Sequence, residues 1–356
     1  MSYLNQNKTI VVKNIFHMLA YAFQTLNESE YANLGQEEFD NVQDLYAEIL
    51  AVGTARQLKQ GLHREYMIVN DNIMTKKGSM NIPQTINNKT HNNQRLNCDF
   101  DEYTEDNLFN RILKTTILWL SKSNKVKNDR KRHLQSILKR LDSVKTVNPQ
   151  TIQWRSLQFR RNSETYLMLL TICRYALDEM LLTEDGNKKL KRIEVDEAMS
   201  KLYEHFILNY YHKHYPSLKV QANQIPWDTK DDVPFLPIMQ SDVMIEGNDR
   251  ILIIDAKMYT RILSSKMGFD KQSFKSNNLY QIYTYVNNKR HITDKRVSGV
   301  ILYAMTDEEI TPDNDFILSG DKYSIKTLDL NQEFSTISDQ LDAIVKQYFD
   351  NLKKEK

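Results

Sequence analysis

Between Ile10 and Leu182 the apolar residues fall mainly three or four apart, the repeat of a helix face. Val11-Val12-Lys13 reads as a short extended piece, after which Asn14 is placed to cap a helix bearing Ile15, Met18, Leu19 and Ala22. Tyr21 and Phe23 widen that face. Residues 41–61 predict a second helix through Leu45, Ile49, Val52 and Leu58, ended by Gly61. Residues 106–121 predict a third through Leu108, Ile112, Leu113, Ile117 and Leu120, and residues 163–182 a fourth. The helical rhythm fails over residues 62–103. Residues 65–69 and 72–74 read there as strands around an Asn70-Asp71 turn, followed by Gly78, Pro83 and the polar run 87–93. This β-rich, loop-rich insertion has little apolar content for a core of its own. It is either a projecting element that packs on something else or a flexible loop, and composition alone leans to the loop.

Glu184-Asp185-Gly186-Asn187 interrupts the fourth helix and sets a domain boundary near residue 190. Beyond it the pattern changes. A helix over 196–211 carries Met199, Leu202, Tyr203, Phe206 and Ile207, with Glu204 among them. Strands follow at 218–222, 243–245 and 251–254, then a helix at 277–287, strands at 297–303 and 325–328, and an amphipathic helix over 334–352. The order α-β-β-β-α-β predicts an α/β domain, a mixed sheet with helices on both faces, over residues 191–356. Residues 1–190 then form a mainly α N-terminal domain with the β-rich insertion at about 62–103.

Composition narrows the picture. The chain has 356 residues, 40% hydrophobic and 26% charged, which is ordinary for a globular protein with a substantial core. A net charge of only +2 makes any nucleic-acid surface local. The basic cluster of Lys125, Lys127, Arg130, Lys131, Arg132, Lys139 and Arg140 reads as a solvated helix face, with phosphate contact the alternative. Cys98 and Cys173 stand far apart without ligand spacing, which points to a reducing compartment and away from a zinc finger. No apolar run reaches membrane-span length and the N-terminus lacks signal-peptide character, so a cytoplasmic location without a membrane partner is expected. No P-loop occurs, so nucleotide-driven work has to come from another protein.

The candidate chemistry lies in Met239–Tyr259, MQSDVMIEGNDRILIIDAKMY, where Asp242, Asp255 and Lys257 interrupt a sequence that otherwise reads as buried. Charge is costly to bury, by several kcal/mol per ion. A two-residue loop at Asn248-Asp249 sets Asp242 opposite Asp255. Period-two alternation then puts Lys257 on the same face and Ala256 on the other, an arrangement that a one-residue slip destroys. Two carboxylates beside a lysine suit Mg²⁺-assisted phosphodiester hydrolysis, with Asp242 and Asp255 as ligands and Lys257 acting on the attacking water or the developing charge. Glu204 is a third acid for metal or water. Gln281 and Tyr285, four apart on one helix face, are placed to touch the scissile strand or steady Lys257. Each residue also has a plain structural explanation, such as an Asp255–Lys257 ion pair. His212 and His214 lack a third ligand and read as a helix end.

At these residues the sequence resembles the PD-(D/E)XK nucleases, and among them the McrC family. The stretches are LPIMQSD (236–242), ILIIDAKMY (251–259), SSKMG (264–268) and NLYQIYTYV (278–286), together with VVKNIFHMLAYAF (11–23) and DEYTEDNLFNRILK (101–114). Ser241 departs from the proline that the superfamily name places before the first acid. The resemblance implies a restriction-endonuclease-like αβββαβ fold for the second domain. It also implies the endonuclease subunit of a modification-dependent restriction system used in antiviral defence. The implied partner is McrB, a GTP-hydrolysing AAA+ hexamer that recognises methylated cytosine in double-stranded DNA and binds the GTP itself. In that family the N-terminal part of McrC docks in the hexamer's pore and stimulates GTP hydrolysis, and translocation leads to double-strand cleavage. Contact between two McrC copies is left open. Two other readings stand beside this one: a regulatory NTPase-activating subunit with an idle nuclease site, and a stand-alone DNA nuclease.

Overall fold

The computed structural model describes residues 8–27, 31, 34, 37, 39–90, 95–159, 163–184, 188–229, 231, 233–259, 261–265, 272–306, 308 and 310–349. It divides into two compact units, Gln43–Met180 and a second built from Met1–Val42 together with Leu181–Lys356. The division falls between Met180 and Leu181, whereas the sequence pattern sets its boundary near residue 190. The first 42 residues, however, belong with the C-terminal unit and not with an N-terminal domain.

The elements, in chain order, open with helices α1 (Lys8–Ala22) and α2 (Val42–Gln60). Next come β1 (Glu65–Ile73), β2 (Ser79–Met80), α3 (Ile82–Thr90), β3 (Leu96–Thr104), α4 (Leu108–Lys122), α5 (Asn128–Arg140) and α6 (Glu164–Glu184). The second stretch holds α7 (Lys188–His214), β4 (Lys219–Gln221), β5 (Gln224–Ile225), β6 (Met239–Gln240), β7 (Val243–Glu246) and β8 (Arg250–Lys257). It continues with β9 (Leu263–Ser265), β10 (Gln272–Phe274), α8 (Ser276–His291), β11 (Arg296–Ala304), β12 (Asn314–Leu318), β13 (Asp321–Leu328) and α9 (Phe334–Tyr348).

The unit over 43–180 joins a helical core to a small sheet. Leu45, Ile49, Ile112, Leu113, Leu134, Leu169, Ile172 and Cys173 fill the core from α2, α4, α5 and α6. Asn107 caps α4 by accepting from the Asn110 N–H. The Asn107 and Asn110 amides both donate to His63 O at 2.8 Å, which ties α4 to the entry of β1. Arg130 pairs with Asp44 and with Glu48, so this member of the basic cluster is a structural ion pair. The remaining cluster residues are mostly exposed on or near α5.

The small sheet runs β1-β3-β2, all antiparallel. Asn70-Asp71 is not a turn: β1 passes through it unbroken. Asn70 donates across to Asp99 Oδ1 at 2.7 Å and Asn97 Oδ1 at 2.9 Å, and Asn97 donates back to Asn70 and Asn72 at 3.0 Å each. These ladders replace the hydrophobic pairing that the composition lacks. Much of the polar run lies in α3, with Pro83 in its first turn, where a missing N–H costs nothing. Residues 91–93 of that run lie outside the described residues.

The other unit is a mixed α/β fold, as the alternation of elements predicts. Its six-stranded sheet has the order β12-β13-β11-β8-β7-β4. The strands β4, β7 and β8 are mutually antiparallel neighbours, β8 and β13 flank β11 in parallel, and β12 closes one edge antiparallel. Six consecutive buried residues in β8 mark it as an interior strand covered on both faces. Helix α8 lies on β11 and β8, α7 against β8 and β4, and α9 on β13. At Gly299 a Cβ would come within 2.8 Å of Ile282 and 2.9 Å of Val286, so the bare glycine lets α8 sit directly on the sheet. Strand β12 has no counterpart in the sequence reading. Val11-Val12-Lys13 is helical, not extended, because Val12 is buried in tertiary contact and packing overrides β propensity. Asn14 is no cap: its buried amide donates to Leu330 O and Gln332 O, both at 2.8 Å.

Residues 185–187, where the sequence predicts a break, part of SSKMG, and residues 350–352, to which the sequence extends the last helix, lie outside the described residues. Among the described residues no helix is long and apolar enough to cross a membrane.

Candidate active site

The β7–β8 hairpin has the register that the charge pattern requires. Val243 faces Ile254 and Glu246 faces Ile251. The Gly247 N–H donates to Arg250 O at 2.9 Å, closing a two-residue loop of Asn248-Asp249. One step beyond Val243, Asp242 falls opposite Asp255. Asp255 pairs laterally with Ile301 and Lys257 with Tyr303, so both charges lie on the sheet face that α8 covers. Ser241 fixes the approach to Asp242. It is buried, its N–H donates to Asn223 O at 3.0 Å and its hydroxyl to the same oxygen at 3.2 Å. A proline there would lack the first of these donors, which gives the departure from the superfamily pattern a local reason.

The three charges converge. Asp255 is fully buried, 0% exposed, and its Oδ1 accepts from Lys257 Nζ at 2.8 Å. Lys257 Nζ also lies 3.9 Å from Asp242 Oδ2. That same Asp242 oxygen accepts from the Ala256 N–H at 2.8 Å. Asp255 Oδ2 is buried without a hydrogen-bond partner, and both carboxylates lie within 4 Å of the one ammonium, at 2.8 Å and 3.9 Å. Burial pushes both carboxyls above their ordinary range, against the pull of Lys257, and the neighbouring Asp242 charge raises Asp255 further. Burial opposes the Lys257 charge, but Asp255 and Asp242 together outweigh it and hold the ammonium above its usual value.

Of the expected neighbours, Glu204 and Tyr285 lie within electrostatic reach of this trio, and Gln281 is joined to Tyr285. Glu204, on α7, is pushed up to about 7 by burial and by the Asp242 charge, with Lys257 opposing and Asp255 adding to the rise. It is therefore within electrostatic reach of all three. Gln281 Nε2 donates to Tyr285 Oη at 2.9 Å, confirming their shared helix face. Burial raises the Tyr285 hydroxyl, Gln281 lowers it, and Asp255, Asp242 and Lys257 all act on it. Tyr259, Asn278, Tyr303 and Lys275 stand at the same site and were not singled out from sequence. The two-residue step from Asp255 through Lys257 to Tyr259 was the available signal for the first of them. His214 accepts or donates a 2.7 Å hydrogen bond with Tyr21 and His212 is exposed, which is the helix end expected.

The donor set bears on a metal. Among the described residues no three His, Cys, Asp or Glu side chains gather into a ligand group. Glu204 is thus beside the carboxylate pair and not in a three-acid cage with it. A pair is what Mg²⁺ uses, with water and substrate phosphate completing its shell. The partnerless Asp255 Oδ2 beside a second carboxylate is an oxygen site that a proton or a cation satisfies. The residues present fit that ion.

Comparison with known proteins places the chain in a family. Residues 3–304 match the family model described as McrBC 5-methylcytosine restriction system component. A relative from Escherichia coli strain K12, the type IV methyl-directed restriction enzyme EcoKMcrBC, is 27% identical over 349 residues, 96% of this chain and 99% of its own. Two solved assemblies from Thermococcus gammatolerans also align. In a half-complex of McrB AAA+ hexamers with bound McrC, the match covers 95% of this chain and 76% of that one, at 16% identity and a TM-score of 0.49. In an McrBC complex it covers 50% and 58%, at 18% identity and a TM-score of 0.38. The chain belongs to the McrBC restriction-system component family.

Proposed function

We propose that this family member is the cutting subunit of a restriction complex, a Mg²⁺-dependent endonuclease acting on double-stranded DNA that carries methylcytosine. The observation that carries the reading is Asp255: fully buried, one oxygen bound to Lys257 and the other, without a partner, beside Asp242. A structural ion pair would not need the second carboxylate, nor leave that oxygen bare.

A bound Mg²⁺ supplies activation of water and neutralisation of phosphate charge. Asp242 and Asp255 would hold it, each already fixed by a backbone or ammonium donor. Lys257 Nζ is placed to donate to the attacking water and to the charge that develops on the phosphate. Glu204 orients water from the α7 side. Gln281 and Tyr285 form one hydrogen-bonded unit on α8 that borders the substrate side of the trio. Domain-wise, residues 191–356 carry the restriction-endonuclease-like core.

The movement of DNA comes from a partner of the McrB kind, a GTP-hydrolysing AAA+ hexamer, whose GTPase this chain stimulates. The small sheet is the docking element. Tyr66 and Ile68 on β1 are 73% and 77% exposed, and Tyr103, paired with Tyr66 at a ring separation of 4.9 Å, is 55% exposed. Large apolar side chains on a strand face cost little only when another surface covers them. The methyl-directed enzyme named for the Escherichia coli relative supports modified DNA as the target.

The test is cleavage of methylated plasmid by the full chain with its partner, Mg²⁺ and GTP. Asp255→Ala abolishes cutting while partner GTP hydrolysis continues. Undiminished cutting by Asp255→Ala removes Asp255 from the site. Stimulated GTP hydrolysis without any cutting by the unaltered chain leaves a regulatory subunit instead.

A further inference from the structure

Tyr259 leaves β8 on the side of the trio. Its ring centroid lies 6.2 Å from that of Tyr303, the residue that pairs with Lys257. Two hydrogen bonds hold the ring's edge in place: Tyr259 Oη donates to Asn278 Oδ1 at 3.2 Å, and Asn278 Nδ2 donates to Tyr303 Oη at 2.8 Å. Asn278 is buried, so this link from β8 through α8 to β11 is built into the core. The Tyr259 hydroxyl is close enough to act on the Lys257 charge, and Asp255 and Lys257 both act on Tyr303.

Over the face of that ring, 3.6 Å from its centroid, sits the ammonium of Lys275. The residue is half-buried at the start of α8, and among the described residues it forms no ion pair. Burial lowers its pKa, and Glu308 is the acid that opposes this. The Glu308 carboxylate is already engaged, accepting from the Ile262 N–H at 2.6 Å, the Thr306 hydroxyl at 2.8 Å and the Leu263 N–H at 3.3 Å. A half-buried cation steadied by an aromatic face, without a carboxylate of its own, has its charge available for an anion. The trio beside it carries two carboxylates against one lysine, and a polyanionic substrate entering there needs further positive charge close by.

We infer that Lys275 is a second phosphate-binding cation of this site, contacting the DNA phosphate next to the one that is cut, and that the Tyr259 ring is its positioning residue. The inference rests on the nuclease reading above and adds to it two residues with distinct tasks. The ring face holds the ammonium, so the aromatic ring is required and its hydroxyl is secondary. The contact reads charge and not sequence, so it acts alike on every target.

The experiment uses the full chain with its partner, GTP, Mg²⁺ and a methylated duplex, and follows single-turnover cleavage against salt concentration. Lys275→Ala slows cleavage about tenfold or more, and flattens the dependence of log rate on log salt by roughly one unit. Lys275→Arg recovers most of the lost rate, because it keeps the charge. Tyr259→Leu reproduces the flattened salt dependence, while Tyr259→Phe restores the unaltered slope. Partner GTP hydrolysis stays constant throughout. Melting temperatures check that each variant folds, and Lys275→Gln, which keeps the aliphatic stem, replaces Lys275→Ala if that variant melts early. A lysine variant that cuts at the unaltered rate with the unaltered slope overturns the phosphate contact. Equal flattening by Tyr259→Phe and Tyr259→Leu overturns the role of the ring. If the unaltered complex does not cut at all, the nuclease reading itself has failed, which is distinct from either result.

Discussion

The two sheets of this chain break the inside–outside rule in opposite directions. The six-stranded sheet hides charge: Asp255 is fully buried and stands with Asp242 and Lys257 among Ile251, Ile253 and Ile301. The three-stranded sheet exposes what is usually hidden, with Tyr66, Ile68 and Tyr103 turned outward and Asn and Asp side chains laddered beside them. Both arrangements cost stability in the isolated chain. A buried charge cluster is offset by what it binds or transforms, and an exposed apolar face by what covers it. On the function proposed above, the difference separates two tasks, chemistry in the first sheet and docking in the second.

Three changes probe that separation, from the largest effect to the smallest. Lys257→Ala leaves two buried carboxylates without their cation and removes the donor to the reacting phosphate. Cleavage then falls on the order of a thousandfold or more, while stimulation of partner GTP hydrolysis, measured in the same mixture, is retained. The triple variant Tyr66→Ser, Ile68→Ser, Tyr103→Ser does the reverse. It weakens partner binding by about 2 kcal/mol or more, a loss on the order of thirtyfold, read by titrating GTPase stimulation. Its melting temperature stays close to that of the unaltered chain, because exposed side chains contribute little to folding. If the triple variant instead unfolds, the face is part of a core and the contrast fails. Gly299→Ala brings a methyl group against Ile282 and Val286 and costs about 1–3 kcal/mol in a denaturant melt. It also displaces α8, so cutting falls with Gln281 and Tyr285 intact.

Acid adds a fourth check that is independent of the site. His17 stacks on Phe334 with ring centroids 4.4 Å apart, and burial first, then repulsion from Lys13, lowers its pKa from 6.5 to about 4 despite Glu333. The folded value is depressed, so the unfolded chain takes up the proton first. Stability is therefore complete above about pH 6.5 and is lost as pH falls through 4, by roughly 2 kcal/mol after allowance for partial exposure. His17→Leu removes this portion of the pH slope in melts taken between those limits.

The β7–β8 hairpin is legible in the sequence because period two is rigid. Once the loop was placed at Asn248-Asp249, the parity of Asp242, Asp255 and Lys257 followed, and the observed register agrees. The mixed α/β character of the second stretch is legible for a different reason, the continuous apolar runs of β8 and β11, which suit strands covered on both faces. What local pattern left out is decided by distant partners. Val11 and Val12 favour a strand, yet burial of Val12 in α1 decides otherwise. Asn70-Asp71 has turn chemistry, yet Asn97 and Asp99, more than twenty-five residues on, hold it in a strand. Helix α1 packs on α7, which lies more than 160 residues further along the chain, a contact that no window of sequence contains. Lys275 is seen to matter only when the ring of Tyr259 is seen beneath it.

The most direct measurement runs both tasks in one tube: methylated DNA, Mg²⁺, GTP, the partner, and this chain carrying Asp255→Ala, with DNA cleavage and GTP hydrolysis followed together. The expected result is no cleavage above background, with GTP turnover stimulated as by the unaltered chain. Continued cleavage, or loss of GTPase stimulation together with cleavage in a normally folded variant, would contradict the assignment of cutting to the buried carboxylates and of docking to the exposed sheet.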